Sequence, residues 1–258
     1  MNKTALITGA SSGIGKETAF VYAKNGYHLI LVARRLENLK TIKKNIEDAH
    51  KVTVTIFDMD LAKLKSAEEL YKKVTDAKLT VDVLINNAGF GIYKKFADSD
   101  IEKEEQMLLL NMVTLTKLTK LFIPNMIKKN SGNIVNIASA AAFQPIPTLA
   151  TYAASKAFVM SFSEAIAFEL KDNNVIVTVI CPGATKSEFG VTAGYSEDSE
   201  VFKGIPTSQD LALFIYKSMK KGKTNAIHGF KNNFLTFIGR FAPRKMLTFI
   251  AYKIMNKK

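Results

Sequence analysis

The chain has 258 residues, 47% hydrophobic and 23% charged, which is enough apolar material for one full core and excludes a disordered chain. Its net charge of +13 sits almost wholly at one end: no acidic residue follows Asp210, while residues 211–258 carry eleven basic ones, and no recognition motif accompanies them to point to nucleic acid. The single cysteine, Cys181, excludes an intrachain disulfide and a thiolate metal cluster and fits a reducing compartment, the cytoplasm, and His28, His50 and His228 have no ligand spacing, so no metal is expected.

An apolar run begins at Lys3-Thr4-Ala5-Leu6-Ile7-Thr8 and is read as a first strand rather than a targeting segment. From there, Val/Ile/Leu-rich runs alternate with longer helical patterns. The sequence predicts strands near 3–8, 28–33, 52–57, 82–86, 132–137, 175–181 and 224–229, with helices near 13–25, 36–48, 62–76, 102–129, 152–171 and 208–221. That alternation points to repeated βα units on a parallel sheet. The uncharged stretch from Asn130 to Ser155 contains Asn133, Asn136, Gln144, Pro145 and Pro147 and is not read as a membrane span.

Chemistry-bearing residues gather at the predicted strand ends. After the first strand comes Thr8-Gly9-Ala10-Ser11-Ser12-Gly13-Ile14-Gly15, where glycines let a pyrophosphate approach the backbone and a helix N-terminus offers it N–H groups. After the second come Arg34 and Arg35 in place of an acidic residue, which favours a ribose 2′-phosphate over a free 2′-hydroxyl and hence NADP(H). Asp60 and Leu61 follow the third, where Asp60 could equally cap a helix before Ala62. Ser139 follows the fifth strand, and thirteen residues later Tyr152 and Lys156 are four apart on one helical face. An ordinary phenol, with a pKa of about 10, is too weak an acid for proton transfer near neutrality, and a cation beside the ring oxygen would lower it.

Together with Asn86-Asn87-Ala88-Gly89 and Pro182-Gly183, these motifs stand in an order that resembles the short-chain dehydrogenase/reductase family over most of the chain. The resemblance implies a three-layer, doubly wound, Rossmann-type α/β fold with seven parallel strands in the order 3-2-1-4-5-6-7. It implies an oxidoreductase that interconverts a carbonyl and a hydroxyl on a small molecule, with Tyr152 as general acid/base. Ser139 would hold the reacting oxygen, Lys156 would bind the nicotinamide ribose, and Asn111 would hold a water that relays protons to Lys156, although a polar residue in Leu108-Leu109-Leu110-Asn111-Met112 could simply satisfy backbone groups. It implies adenine contacts from Asp60 and Leu61, and further cofactor contacts from Asn87, Ala88, Gly89, Pro182, Gly183, Thr185 and Ser187. Here the chain departs from the family, which more often shows a branched aliphatic residue at 185 and threonine at 187.

Substrate identity is weakly encoded. Phe90, Ile92, Tyr93, Ala140, Phe143, Pro145, Leu149, Phe189 and Tyr195 are candidates for a pocket wall and suggest an apolar carbonyl compound. Residues 183–206, with Gly190, Gly194, Gly204 and Pro206, read as a lid or a surface loop within a catalytic domain of residues 1–229. Beyond it lies a basic amphipathic extension, 230–258, that packs on or follows that domain. Its Phe234, Phe237, Ile238 and Phe241, then Met246, Leu247, Phe249, Ile250 and Ile254, fall at helical spacings on either side of Pro243. Such a stripe can meet an anionic membrane through residues 232–258, making the protein peripheral to a membrane. It can equally cover the substrate cleft or pack in a homo-oligomer, a dimer or tetramer. The alternative to an enzyme is a non-catalytic NADP(H)-binding redox sensor or membrane-surface scaffold.

Overall fold

The computed structural model describes residues 3–186, 188–189 and 205–255. Seven strands, β1 (Thr4–Thr8), β2 (His28–Ala33), β3 (Val54–Asp58), β4 (Val83–Asn86), β5 (Gly132–Ile137), β6 (Val175–Cys181) and β7 (Asn225–Ile227), form one sheet. Its order is β3-β2-β1-β4-β5-β6-β7, and every neighbouring pair is parallel. These are apolar runs without polar alternation because both faces are covered.

Alternate residues of each strand feed two cores. Ile7, Leu31, Ile85 and Val135 pack against α1 (Gly13–Lys24), α2 (Leu36–Ala49) and α7 (Ser208–Lys220), through Tyr22, Ile42 and Ile215 among others. Leu6, Ile30, Leu84 and Ile134 pack on the other side against α3 (Ser66–Asp76), α5 (Leu115–Lys128) and α6 (Ala150–Glu169), through Leu70, Phe122 and Ile166. The result is helix, sheet, helix. The strand order reverses between β1 and β4, which opens a crevice at their C-terminal ends.

The predicted helix over 102–129 is one continuous rod, Ile101–Lys128, but not a uniform one. α4 (Ile101–Leu108) and α5 are joined by a π-helical turn, Leu109–Thr114, that holds Asn111 and Thr114 buried. Interruptions of this kind collect at functional sites. Among the described residues this rod alone is long and apolar enough to cross a bilayer. Its Met107, Leu115, Leu118, Phe122 and Met126 are instead buried in the cores of the fold.

A polar chain crosses the second core. Asn86 Nδ2 donates to Thr119 Oγ1 (3.0 Å) and to Asn136 Oδ1 (2.9 Å), and Asn136 Nδ2 donates to Ser163 Oγ (2.9 Å). It ties β4 and β5 to α5 and α6, and burial makes each of its bonds costly to leave unmade.

The extension forms two helices, α8 (Phe230–Gly239) and α9 (Arg244–Met255), with Pro243 between them. They meet where Gly239 faces Leu247. In α9 only Ala251 is buried, and in α8 no residue is.

Candidate active site

The crevice is built from the C-terminal ends of β1, β4, β5 and β6. Its floor is a cross-link that the sequence does not announce. Thr8 Oγ1 accepts the backbone N–H groups of Asn87 and Ala88, each at 3.0 Å, while Asn87 Nδ2 donates to the Thr8 carbonyl at 2.9 Å. Asn87 therefore fastens β4 to the glycine turn. Gly9 has φ +67°, and a Cβ there would lie 2.9 Å from Ala88 Cα; a Cβ on Gly15 would lie 2.3 Å from the Gly9 carbonyl oxygen. These glycines let α1 close onto the turn and β4 close beside it.

The first turn of α1 has no side-chain cap, since Ser12 at its N-cap makes no such bond, so its N–H groups are available to an anion. A polar cavity of about 440 Å³ opens there, lined by Ser11, Ser12, Gly13, Lys16, Lys186 and Glu188 among others. Arg35 reaches its rim: Nε donates to Ser11 Oγ at 3.2 Å, and Nη2 donates to Ser12 Oγ at 2.5 Å and to Glu188 Oε2 at 2.9 Å. That guanidinium holds the Glu188 carboxyl below the ordinary carboxylate range. Arg34 and Arg35 are both exposed. Asp60 Oδ1 accepts the Ala62 N–H at 3.0 Å within a turn and caps no helix: α3 begins at Ser66, with Lys65 at its N-cap, rather than at 62 as expected. Leu61 is buried in the second core, and its carbonyl accepts the hydroxyls of Ser66 and Thr114.

Ser139, Tyr152 and Lys156 do come together. Ser139 stands two residues past the end of β5, and its Oγ accepts the Ala141 N–H at 3.1 Å. Tyr152 and Lys156 lie on α6, 8% and 5% exposed. Burial pushes the phenol up to about 12, and a hydrogen bond with the Ser139 side chain pulls it down. Burial likewise brings the Lys156 ammonium down to about 8.

Lys156 Nζ donates to the Ile137 carbonyl at 2.8 Å and stands 5.7 Å from the centre of the Tyr152 ring. A buried ammonium takes the nearest strong acceptor, and the end of β5 supplies it.

Asn111 is 1% exposed, and its side chain braces the loop after β4. Nδ2 donates to the Phe90 carbonyl (3.0 Å) and to Ser155 Oγ (3.2 Å), and Oδ1 accepts the Phe90 N–H (3.3 Å). Gly89 packs closely beside it. The position a Cβ would take lies 2.8 Å from Asn111 Oδ1 and 3.5 Å from Lys156 Nζ.

An apolar wall surrounds the phenol. Phe90, Ile92, Tyr93, Leu149 and Phe189 pack with Tyr152 as expected, and Met107, Ile146 and Met255 join them from positions the sequence did not single out. Phe143 packs elsewhere, with Val159 and Cys181. The Ala140 N–H donates to the Pro182 carbonyl at 2.7 Å, which joins the β5 and β6 loops. Thr185 Oγ1 donates to the Gly183 carbonyl, and the Asn232 side chain of α8 lies against Gly183. Ser187, Tyr195 and most of the predicted lid lie outside the described residues.

Residues 3–197 match the family model for short chain dehydrogenases. The chain belongs to the short-chain dehydrogenase/reductase family. Oxidoreductase chemistry between carbonyl and hydroxyl groups is what that membership carries. The chain is 35% identical over 226 residues to an uncharacterized oxidoreductase, YvrD, of Bacillus subtilis, which covers 87% of this chain and 82% of that protein. It is 37% identical over 186 residues to a very-long-chain 3-oxoacyl-CoA reductase of Vanderwaltozyma polyspora, covering 68% of this chain but only 53% of the yeast protein. Among solved structures, a short-chain dehydrogenase from Sphingobium yanoikuyae in complex with NADPH superposes with a TM-score of 0.83 at 28% identity, over 93% of both chains.

The glycine turn is where this geometry is least forgiving. Gly15→Ala is expected to lower stability by about 2–3 kcal/mol in urea unfolding, because the added methyl meets backbone that cannot yield. A loss under about 0.5 kcal/mol would show that α1 can move away from the turn.

Proposed function

We propose that this chain is an NADP(H)-dependent oxidoreductase that interconverts a carbonyl and a hydroxyl on an apolar small molecule, with Tyr152 as the general acid/base. The observation that carries the reading is the meeting of Ser139 with the buried Tyr152 and Lys156, beside an apolar wall and in the same crevice as the cofactor turn. A phenol and an ammonium are buried together at a cost, and proton transfer is the chemistry that uses them.

The crevice fits the dinucleotide. The uncapped turn of α1 suits a pyrophosphate, and the Arg35 fork with the Ser11 and Ser12 hydroxyls suits a 2′-phosphate. The bound nicotinamide supplies or accepts the hydride. Arg35 would exchange its half-exposed Glu188 partner for phosphate. Gly9, Gly13, Ile14 and Gly15 would carry the backbone seat, and Asn87, Ala88, Gly89, Pro182 and Gly183 the nicotinamide side.

In reduction, the Tyr152 hydroxyl gives its proton to the substrate oxygen as the carbonyl becomes an alcohol, and Ser139 hydrogen-bonds that oxygen. The neutral phenol of the free chain is the state from which this step starts. Lys156 stabilises the phenolate that remains, and Asn111 would hold a water that relays protons to Lys156, since Asn111 Oδ1 and Lys156 Nζ both stand beside Gly89. The aromatic and aliphatic wall favours an apolar carbonyl compound, in keeping with the names of relatives that reduce long-chain 3-oxoacyl groups.

Tyr152→Phe is expected to lose about a hundredfold or more in kcat for NADPH oxidation against a panel of aldehydes, ketones and quinones, with NADPH binding retained. Full activity in that variant would remove Tyr152 from the chemistry, and tight NADPH binding by a wild type that turns over nothing would favour a redox sensor. Arg35→Ala is expected to weaken NADPH binding by about ten- to a hundredfold and leave NADH nearly unchanged. Equal losses for the two cofactors would place the 2′-phosphate elsewhere.

A further inference from the structure

A helix on the surface of a water-soluble domain turns its apolar stripe inward. α8 and α9 do the reverse. Phe234 and Phe237 on one, Phe241 in the turn that follows, and Met246, Phe249 and Ile250 on the other, are 44–77% exposed. The inner side of the pair is mostly small or polar: Leu247 meets Gly239, Ala251 is buried, and Asn232 lies against Gly183 with Nδ2 donating to the His228 carbonyl. Single exposed apolar residues are ordinary, but two successive helices with outward stripes form a continuous patch that a partner must cover.

Charge selects the partner. Lys231, Arg240, Arg244, Lys245 and Lys253 flank the stripes, and no acidic residue follows Asp210. A second copy of the chain would set this basic face against itself in a two-fold contact, bringing like charges together. An anionic lipid headgroup layer has the opposite charge and an acyl boundary at the depth of the aromatic rings. Lys253 already sets a basic group against the apolar stripe, with Nζ 4.6 Å over the Phe249 ring.

We propose that the outward face of α8 and α9 docks the protein on an anionic lipid bilayer. The same helices rim the cleft, since Met255 packs in the cluster around Tyr152 and its carbonyl accepts the Tyr93 hydroxyl at 2.6 Å. On the reading of that cleft given above, docking places the site for an apolar carbonyl compound beside the phase in which such a compound dissolves. The docking itself does not depend on that reading.

The test is co-sedimentation of the full chain with vesicles of phosphatidylcholine alone and of phosphatidylcholine with phosphatidylglycerol. Binding to the anionic vesicles is expected to exceed that to neutral ones by about tenfold or more and to fall as salt is raised. Two variants, F237S/F241S/F249S and R244E/K245E, should each lose most of it while keeping the wild-type circular dichroism, thermal midpoint and NADPH binding. Tyr152→Phe should bind vesicles as wild type does, which separates failure of docking from failure of the proposed chemistry. Equal and negligible binding to both vesicles would overturn the proposal. So would concentration-dependent dimers that the phenylalanine substitutions abolish without any vesicle binding, or vesicle binding that those substitutions leave intact.

Discussion

Lys156 places an ammonium in the protein interior, and most of the site's geometry follows from how that charge is satisfied. An unpaired cation there would be prohibitive, so the side chain reaches the Ile137 carbonyl at the end of β5. That bond ties α6 to the strand whose continuation, two residues on, is Ser139. Tyr152, one helical turn before Lys156, is thereby brought to the serine hydroxyl. Burial lowers the lysine to about 8, so it is charged at neutral pH and loses its charge as pH rises through that value. The same burial raises the phenol, which leaves Tyr152 protonated and ready to act as an acid.

The rest of the fold keeps this arrangement beside the cofactor turn. Thr8 and Asn87 clamp the ends of β1 and β4, where the strand order reverses, and Asn86, Asn136 and Ser163 carry the connection through β5 into α6. Both sets are side-chain bonds in a low-dielectric interior, where they are stronger than in water and costly to leave half made. The π-turn at Leu109–Thr114 adds the last constraint by holding Asn111 against the Phe90 backbone.

The sheet was largely legible because parallel strands covered on both faces read as unbroken Val/Ile/Leu runs, and their predicted and observed spans differ by only a few residues at the ends. β3 starts at Val54 rather than 52, and β7 ends at Ile227 rather than 229. Ser139, Tyr152 and Lys156 were legible from strand-end position and helical spacing. What was not legible joins residues far apart in the chain: Thr8 with Asn87, 79 residues away, and Met255 with the Tyr152 cluster. Local pattern was also silent on the π-turn, since Leu109-Leu110-Asn111-Met112 suits either hydrogen-bond register. In the extension, periodicity located an apolar stripe but could not say that it faces outward, which depends on what the inner side of each helix meets.

Lys156 and an oxidised nicotinamide are held to act on the same phenol oxygen, and titration of Tyr152 is the most direct measure of that field. The observable is the phenolate absorbance difference between wild type and Tyr152→Phe, followed in the free chain, with NADP+ bound, and in a Lys156→Met background. The phenol should titrate at about 12 in the free chain, move down when NADP+ binds, and lose most of that shift without the lysine. A phenol whose titration is indifferent to both NADP+ and Lys156 would contradict the role given to this pair.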